Sequence, residues 1–198
     1  TIGFEVAGIE TVADDADVIV ATLDRLSGDA ALVVSTGGLG PSTDDITSAC
    51  VSRWLGVEPV RDRAVLAGLE QHLARVGRAL TASNAQQADF PAGASILENT
   101  HGTAPGFGVA TGGCRLFFLP GVPREMRPMF ERHIVPVARG LVSGAQHQVR
   151  LRCFGRPESM LNDALAGLEA AYGVSVGYRA HFPEVIVKLL ARAESESA

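Results

Sequence analysis

The sequence predicts an α/β fold: three layers, with a mostly parallel sheet carrying helices on both faces, and a small α+β unit after it. Three observations lead there. The apolar runs Ile2–Val12, Ala30–Val34 and Arg115–Leu119 each end in a special turn, and each turn opens a stretch with helical spacing. Repeated strand–turn–helix order implies parallel strands joined by crossover helices. Hydrophobic residues make up 46% and charged residues 20% of 198 residues, enough for one domain with a real core plus a second, smaller unit.

Ile2–Val12 reads as a strand entered by a turn at Gly3. Asp14 and Asp15 follow, then Val18, Ile19, Leu23 and Leu26 in helical register, with Asp14 as the N-cap. Ala30–Val34 is short and β-branched at its end, hence a buried strand. The helix marked by Ile46, Ala49, Cys50, Arg53 and Trp54 closes at Gly56, a C-cap residue, and Pro59-Val60 marks a loop. Arg61–Val76 is helical, with His72 on its solvent side. Thr81–Gln87 reads as a short helix capped by Thr81 or Ser83, placing Asn84 and Gln87 on one face. Ser95–Leu97 is a short strand. Phe107–Ala110, a turn at Thr111-Gly112-Gly113 and Arg115–Leu119 form a hairpin-like unit. A helix through Met126, Met129, Phe130, His133 and Ile134 follows.

Gly140–Gln148 has the composition of a linker. Beyond it, Val149–Phe154, Glu158–Ala171, Val174–Tyr178 and Val185–Leu190 give a β-α-β-β unit. The domains are therefore expected at 1–142 and 147–192, with a polar, disordered tail at 193–198.

The chemistry concentrates in Ser35-Thr36-Gly37-Gly38-Leu39-Gly40-Pro41-Ser42-Thr43-Asp44-Asp45-Ile46-Thr47. Glycines between a strand and a helix start expose bare main chain to a ligand, and the helix N-terminus favours an anion. Carboxylates beside a phosphate repel it unless a cation sits between, so a loop offering amides and acids suits a nucleotide phosphate with its divalent metal ion. Two further turns have the same character: His101–Gly108, with Gly102 and Thr103, and Pro120-Gly121 before Arg124. A cation in a helix's first turn opposes the dipole, and an anionic ligand would reward it. Gathered at one cleft, Thr36, Gly37, Gly38, Gly40, Gly102, Thr103, Pro120, Gly121 and Arg124 would hold phosphate, Asn84 and Gln87 would recognise the rest of the ligand, and Asp14, Asp44 and Asp45 would serve the metal.

The bulk numbers exclude several classes. A net charge of −5 argues against a general nucleic-acid binder. Cys50, Cys114 and Cys153 are widely spaced, so neither a zinc site nor a disulfide framework is indicated, and they read as small core residues in a reducing cytoplasm. No apolar run approaches a membrane span and no signal peptide is visible.

Five segments, in order, resemble the competence/damage-inducible CinA family, whose main domain is of the molybdopterin-binding MoaB/Mog-like type. They are Val12-Ala13-Asp14-Asp15, the glycine loop at 36–47, Ser83-Asn84 with Gln87-Ala88, Gly102–Phe107, and Leu119–Pro123 with Glu125-Met126. Residues 149–192 are similar to the family's small KH-like domain, although Gly155-Arg156-Pro157-Glu158 replaces a basic Gly-x-x-Gly loop, so RNA binding is not expected. The family's first strand–helix unit and its C-terminal amidohydrolase domain have no counterpart in the sequence.

The resemblance implies a metal-dependent pyrophosphatase acting on ADP-ribose, with Asp45 and Asp14 holding the cation and Asp44 beside them. The second reading is a molybdopterin-binding or adenylylating protein, and the third a scaffold that binds a nucleotide without turnover. A cytoplasmic homo-oligomer, dimer or trimer, is expected, whose partner is a nucleotide or pterin phosphate rather than nucleic acid or membrane.

Overall fold

The computed structural model describes Phe4, residues 6–142 and residues 145–193. The chain divides into two compact units, Val6–Val137 and a second one from Ala138 onward.

In the first unit, α1 (Ala16–Asp29) leads into β1 (Leu32–Thr36) and α2 (Thr47–Leu55). Then come β2 (Pro59–Arg61), α3 (Arg63–Arg75), α4 (Ala82–Ala85), a 3-10 turn at Gln86–Ala88 and β3 (Asp89–Pro91). β4 (Ser95–Leu97), β5 (Gly106–Thr111) and β6 (Cys114–Leu119) precede α5 (Pro123–Met129). A wide π-type turn at Phe130–Ile134, just past Pro128, joins α5 to α6 (Val135–Leu141).

The main sheet has the order β1-β6-β5-β4. The α/β class holds, but the sheet is mixed. β1 pairs β6 in parallel, whereas β5–β6 and β4–β5 are antiparallel. The expectation of mostly parallel strands counted Ile2–Val12 as a strand. Residues 1–3 and 5 of that stretch lie outside the described residues, and Val6–Ala13 forms no strand. Val6 and Ile9 are 72% and 89% exposed. Among the described residues no neighbour offers this stretch ladder hydrogen bonds, so its apolar alternation has no sheet to bury against. Pro59-Val60, expected as loop, forms β2 and pairs with β3.

Alternation along β6 makes the three layers. Cys114, Leu116 and Phe118 face one core with Leu23, Val51, Phe90 and Phe107, against which Ile19, Trp54 and Leu55 pack. Phe117 and Leu119 face the other, with Met129 and Ile134, and with Met126 and Phe130 beside them. The rings of Phe107 and Phe118 stack at 4.7 Å, and Phe90 meets Phe107 edge-on at 5.9 Å. Helices thus cover both faces. Each fully buried Leu or Phe contributes about 1.5–3 kcal/mol. Cys50 and Cys114 are buried and Cys153 is half-buried, all three as free thiols. No helix among the described residues is long and apolar enough to cross a membrane.

The second unit is β7 (Ala145–Phe154), α7 (Glu158–Ala164), α8 (Leu168–Tyr172), β8 (Ser175–His181) and β9 (Glu184–Ala193). Its antiparallel sheet has the order β7-β9-β8. The single helix expected over Glu158–Ala171 is two, because the chain turns at Gly167 with φ 86°. The expected linker at 140–148 is mostly regular, since α6 runs to Leu141 and β7 starts at Ala145; residues 143 and 144 lie outside the described residues, as does the tail at 194–198.

Candidate functional site

The parallel pair β1–β6 places two turns side by side. Thr36 aligns with Leu119, and the Gly37 N–H extends the ladder by one bond, donating to the Leu119 carbonyl at 2.9 Å. Gly37 and Gly38 have φ of 104° and 67°, a region L side chains avoid. A side chain at Gly38 would also strike the Thr47 hydroxyl. That hydroxyl donates to the Gly37 carbonyl at 3.1 Å, and the Thr47 N–H donates to the Gly38 carbonyl at 3.1 Å. Thr47 therefore stitches the glycine loop to the start of α2.

Asp45 closes the rest of the loop. Its Oδ2 accepts from the Ser42 N–H at 2.8 Å, while its own N–H donates to the Ser42 carbonyl at 3.1 Å. Gly40 leaves room for that carboxylate, since a Cβ there would lie 2.6 Å from Oδ2. Asp44 is exposed beside it. No side chain caps α2 at Ile46, and the first amide of this helix, the Thr47 N–H, is satisfied by the Gly38 carbonyl of the loop.

The turn after β6 meets this loop directly: a Cβ on Gly121 would sit 3.5 Å from Gly37 Cα. α5 starts at Pro123 without a side-chain cap, and Arg124 is exposed in its first turn. Among the described residues no carboxylate pairs with Arg124. The next residue, Glu125, is buried at 8% exposure. Its Oε2 accepts from Asn99 Nδ2 at 2.8 Å, and the same amide donates to the Ala104 carbonyl at 2.9 Å. This brings the loop holding Gly102 and Thr103 onto the start of α5.

The amide turn arrives differently from expectation. Asn84 is engaged by the Thr81 cap, its Oδ1 accepting from Thr81 Oγ1 at 2.8 Å, and Gln87 is buried. Between them, Gln86 Nε2 donates to the Ser42 carbonyl at 3.0 Å. α4 ends at Ala85 and the chain tightens into a 3-10 turn, which shifts the angular spacing that placed Asn84 and Gln87 on one face.

Asp14 is not the cap of α1. Asp15 is: its Oδ1 accepts from Asp17 N at 2.9 Å and Val18 N at 3.1 Å. Asp14 stands exposed one residue earlier. The start of α1 is tied to the second half of α2 through Asp17–Arg53 at 2.6 Å, whereas Asp45 precedes the first turn of α2. No contact joins Asp14 to Asp45 among the described residues, and no three His, Cys, Asp or Glu side chains there stand close enough to hold a metal ion between them. Burial pushes the Cys50 thiol, on the inner side of α2, above its usual value.

Sequence reasoning quoted Thr47 and Glu125 within motifs but gave them no role, and it missed Gln86 and Asn99. Thr47, at a helix start, carried a usable signal; the other three act across 26 to 44 positions of sequence, which no local pattern reveals.

Residues 1–140 match the family described as probable molybdopterin binding domain. The chain belongs to that family. Its relatives include CinA-like proteins of Anaeromyxobacter dehalogenans, 41% identical over 180 residues, covering 89% of this chain and 44% of the relative. A CinA-like protein of Escherichia coli is 37% identical over 198 residues, covering 99% of this chain and 50% of that one. The chain thus spans about half the length of the curated relatives it matches. The crystal structure of the protein CinA from Thermoplasma acidophilum superposes with a TM-score of 0.57 at 34% identity, covering 63% of this chain and 72% of that one. The glycine loop, the Gly102–Ala104 loop and the Pro120-Gly121 turn all lie within the residues that carry the molybdopterin-binding-domain match.

Proposed function

We infer that this chain binds a nucleotide diphosphate at the paired ends of β1 and β6 and hydrolyses it, with ADP-ribose as substrate. The observation that carries this reading is the meeting of Gly37 with Gly121, which brings the turn before α5 against the glycine loop before α2. The choice of ADP-ribose follows from the resemblance to the CinA family, whose name these relatives carry.

The residues divide the work. Amides of Gly38–Gly40 and of the first turn of α2 behind Thr47 would bind phosphate oxygens, and Arg124 would offset charge growing on them. Asp45, with Asp44 beside it, and Asp14, just before the cap of α1, would supply carboxylate oxygens for a divalent cation. Two such ligands suffice for a hard cation of the magnesium type, which takes its other oxygens from substrate phosphates and water. When bound, such a cation supplies positive charge at the diphosphate and makes water a better nucleophile. In hydrolysis water would add to one phosphorus and give a proton to solvent while the bridging oxygen leaves with the other phosphate, yielding AMP and ribose 5-phosphate. Free thiols at Cys50, Cys114 and Cys153 fit work in the cytoplasm.

The test is incubation of the protein with ADP-ribose and magnesium or manganese. AMP and ribose 5-phosphate should appear in equal amounts, and Asp45→Asn should lower the rate by about 100-fold or more. Binding of ADP-ribose without product would leave a nucleotide-binding scaffold. The family match favours a second reading, a molybdopterin-binding or adenylylating protein. Calorimetry separates the two: molybdopterin bound at micromolar concentration, with no heat from ADP-ribose, would replace the first reading by the second.

A further inference from the structure

We propose that Glu125 is a positioning residue, whose buried carboxylate sets the Asn99–Ala104 loop against the ligand space, and that residue 102 is glycine because of it. The inference rests on the site assigned above. Glu125 lies in the first turn of α5, four residues after Gly121, which abuts Gly37. Only 8% of it is exposed. A buried carboxylate is costly unless its oxygens meet donors, and an apolar side chain of the same size would fill this place more cheaply. The carboxylate is therefore explained by what it holds.

It holds a loop by its middle and its end. Asn99 Nδ2 donates to Glu125 Oε2 at 2.8 Å and to the Ala104 carbonyl at 2.9 Å, while Asn99 Oδ1 accepts from the His101 N–H at 2.9 Å. One amide thus closes the loop, and one carboxylate anchors that amide to the helix. Gly102 lies directly on the carboxylate: a Cβ there would overlap both Oε1 and Oε2 of Glu125. Its φ lies outside the left-handed region, so the backbone conformation at 102 does not demand glycine. The carboxylate does. The loop, the helix start bearing Arg124 and the Pro120-Gly121 turn then move as one piece, and Thr103 is presented from a fixed backbone.

The test is a double-mutant cycle on the full protein with two readouts, calorimetric affinity for ADP-ribose and amide hydrogen exchange. Glu125→Ala should weaken ADP-ribose by about 10- to 100-fold, the worth of a hydrogen bond to a charged group. It should also speed exchange across 100–104 while exchange in the 36–47 loop stays at the wild-type rate. Glu125→Gln, which keeps an acceptor oxygen, should restore protection to within about 3-fold of wild type. Gly102→Ala should reproduce the Glu125→Ala pattern, and the double variant should be no worse than the poorer single one, because the clash disappears with the carboxylate. Full additivity of the two changes, or unaltered exchange at 100–104 in Glu125→Ala, would overturn the proposal. Should Glu125→Ala not fold, Gly102→Ala carries the test, since it meets the carboxylate and removes none of the Asn99 bonds, and unaltered exchange at 100–104 in that variant would overturn the proposal. Should wild type not bind ADP-ribose, the functional reading fails, while the exchange data still decide the role of Glu125.

Discussion

Gly38 shows how one atom decides a loop. Its φ of 67° and the Thr47 hydroxyl against it leave no place for a methyl group. Gly38→Ala should destabilise the protein by about 1–3 kcal/mol through backbone strain and displaced Thr47, seen as a lower Tm. Gly121→Ala is the contrast, since its Cβ would meet Gly37 at an ordinary 3.5 Å, and its effect should fall on ligand affinity instead. The two buried thiols give a pH prediction at the same scale. Burial raises Cys50 and Cys114 above the usual 9.0. The unfolded chain loses these protons first as pH rises, so the stability they contribute is full below about pH 9 and fades above it. Urea unfolding at pH 8 and pH 10 should show that loss, and Cys50→Ala should flatten the slope between the two.

Among the elements, α1 separates a structural acid from a candidate functional one. Asp15 caps the helix with two hydrogen bonds, while Asp14, next to it, is exposed. Asp15→Ala should cost about 1 kcal/mol in denaturant unfolding. Asp14→Ala should leave stability within about 0.5 kcal/mol of wild type and lower turnover of ADP-ribose. A stability loss at Asp14, or unchanged turnover, would withdraw it from the site. The adjacent-acid pattern was plain in the sequence, yet which of the two carboxylates capped was not, because a shift of one residue in helix start exchanges their roles. The 82–88 stretch has the same ambiguity: tightening from α-helix to 3-10 turn made Gln86, rather than Asn84 or Gln87, the residue that reaches the glycine loop.

At the scale of the whole molecule, the sheet ties the two cores together through β6, whose alternate residues fill opposite layers. Leu116 is fully buried in the layer beneath α1 and α2. Leu116→Ala should cost about 2–5 kcal/mol and lower Tm accordingly. The same strand delivers Pro120 and Gly121 to the site, so this variant should also weaken ligand binding in excess of any change made in the second unit, such as Val187→Ala. Isothermal titration of both variants checks that order.

The sequence by itself determined the α/β class, the strand leading into the glycine loop, the cap at Gly56, the hairpin at Gly112-Gly113 and the strand, helical, strand, strand sequence of the second unit. Each of these is set by residues within a few positions of one another, through periodicity, φ preference or capping chemistry. The tertiary structure decided what depends on distant partners. It left Val6–Ala13 without a strand to pair with among the described residues, made the sheet mixed, gave the cap to Asp15, put Gln86 on the loop and buried Glu125 under Gly102. Hydrogen bonds and steric exclusions between residues far apart in the chain exist only once packing has chosen the neighbours, and a one-dimensional pattern holds no record of that choice.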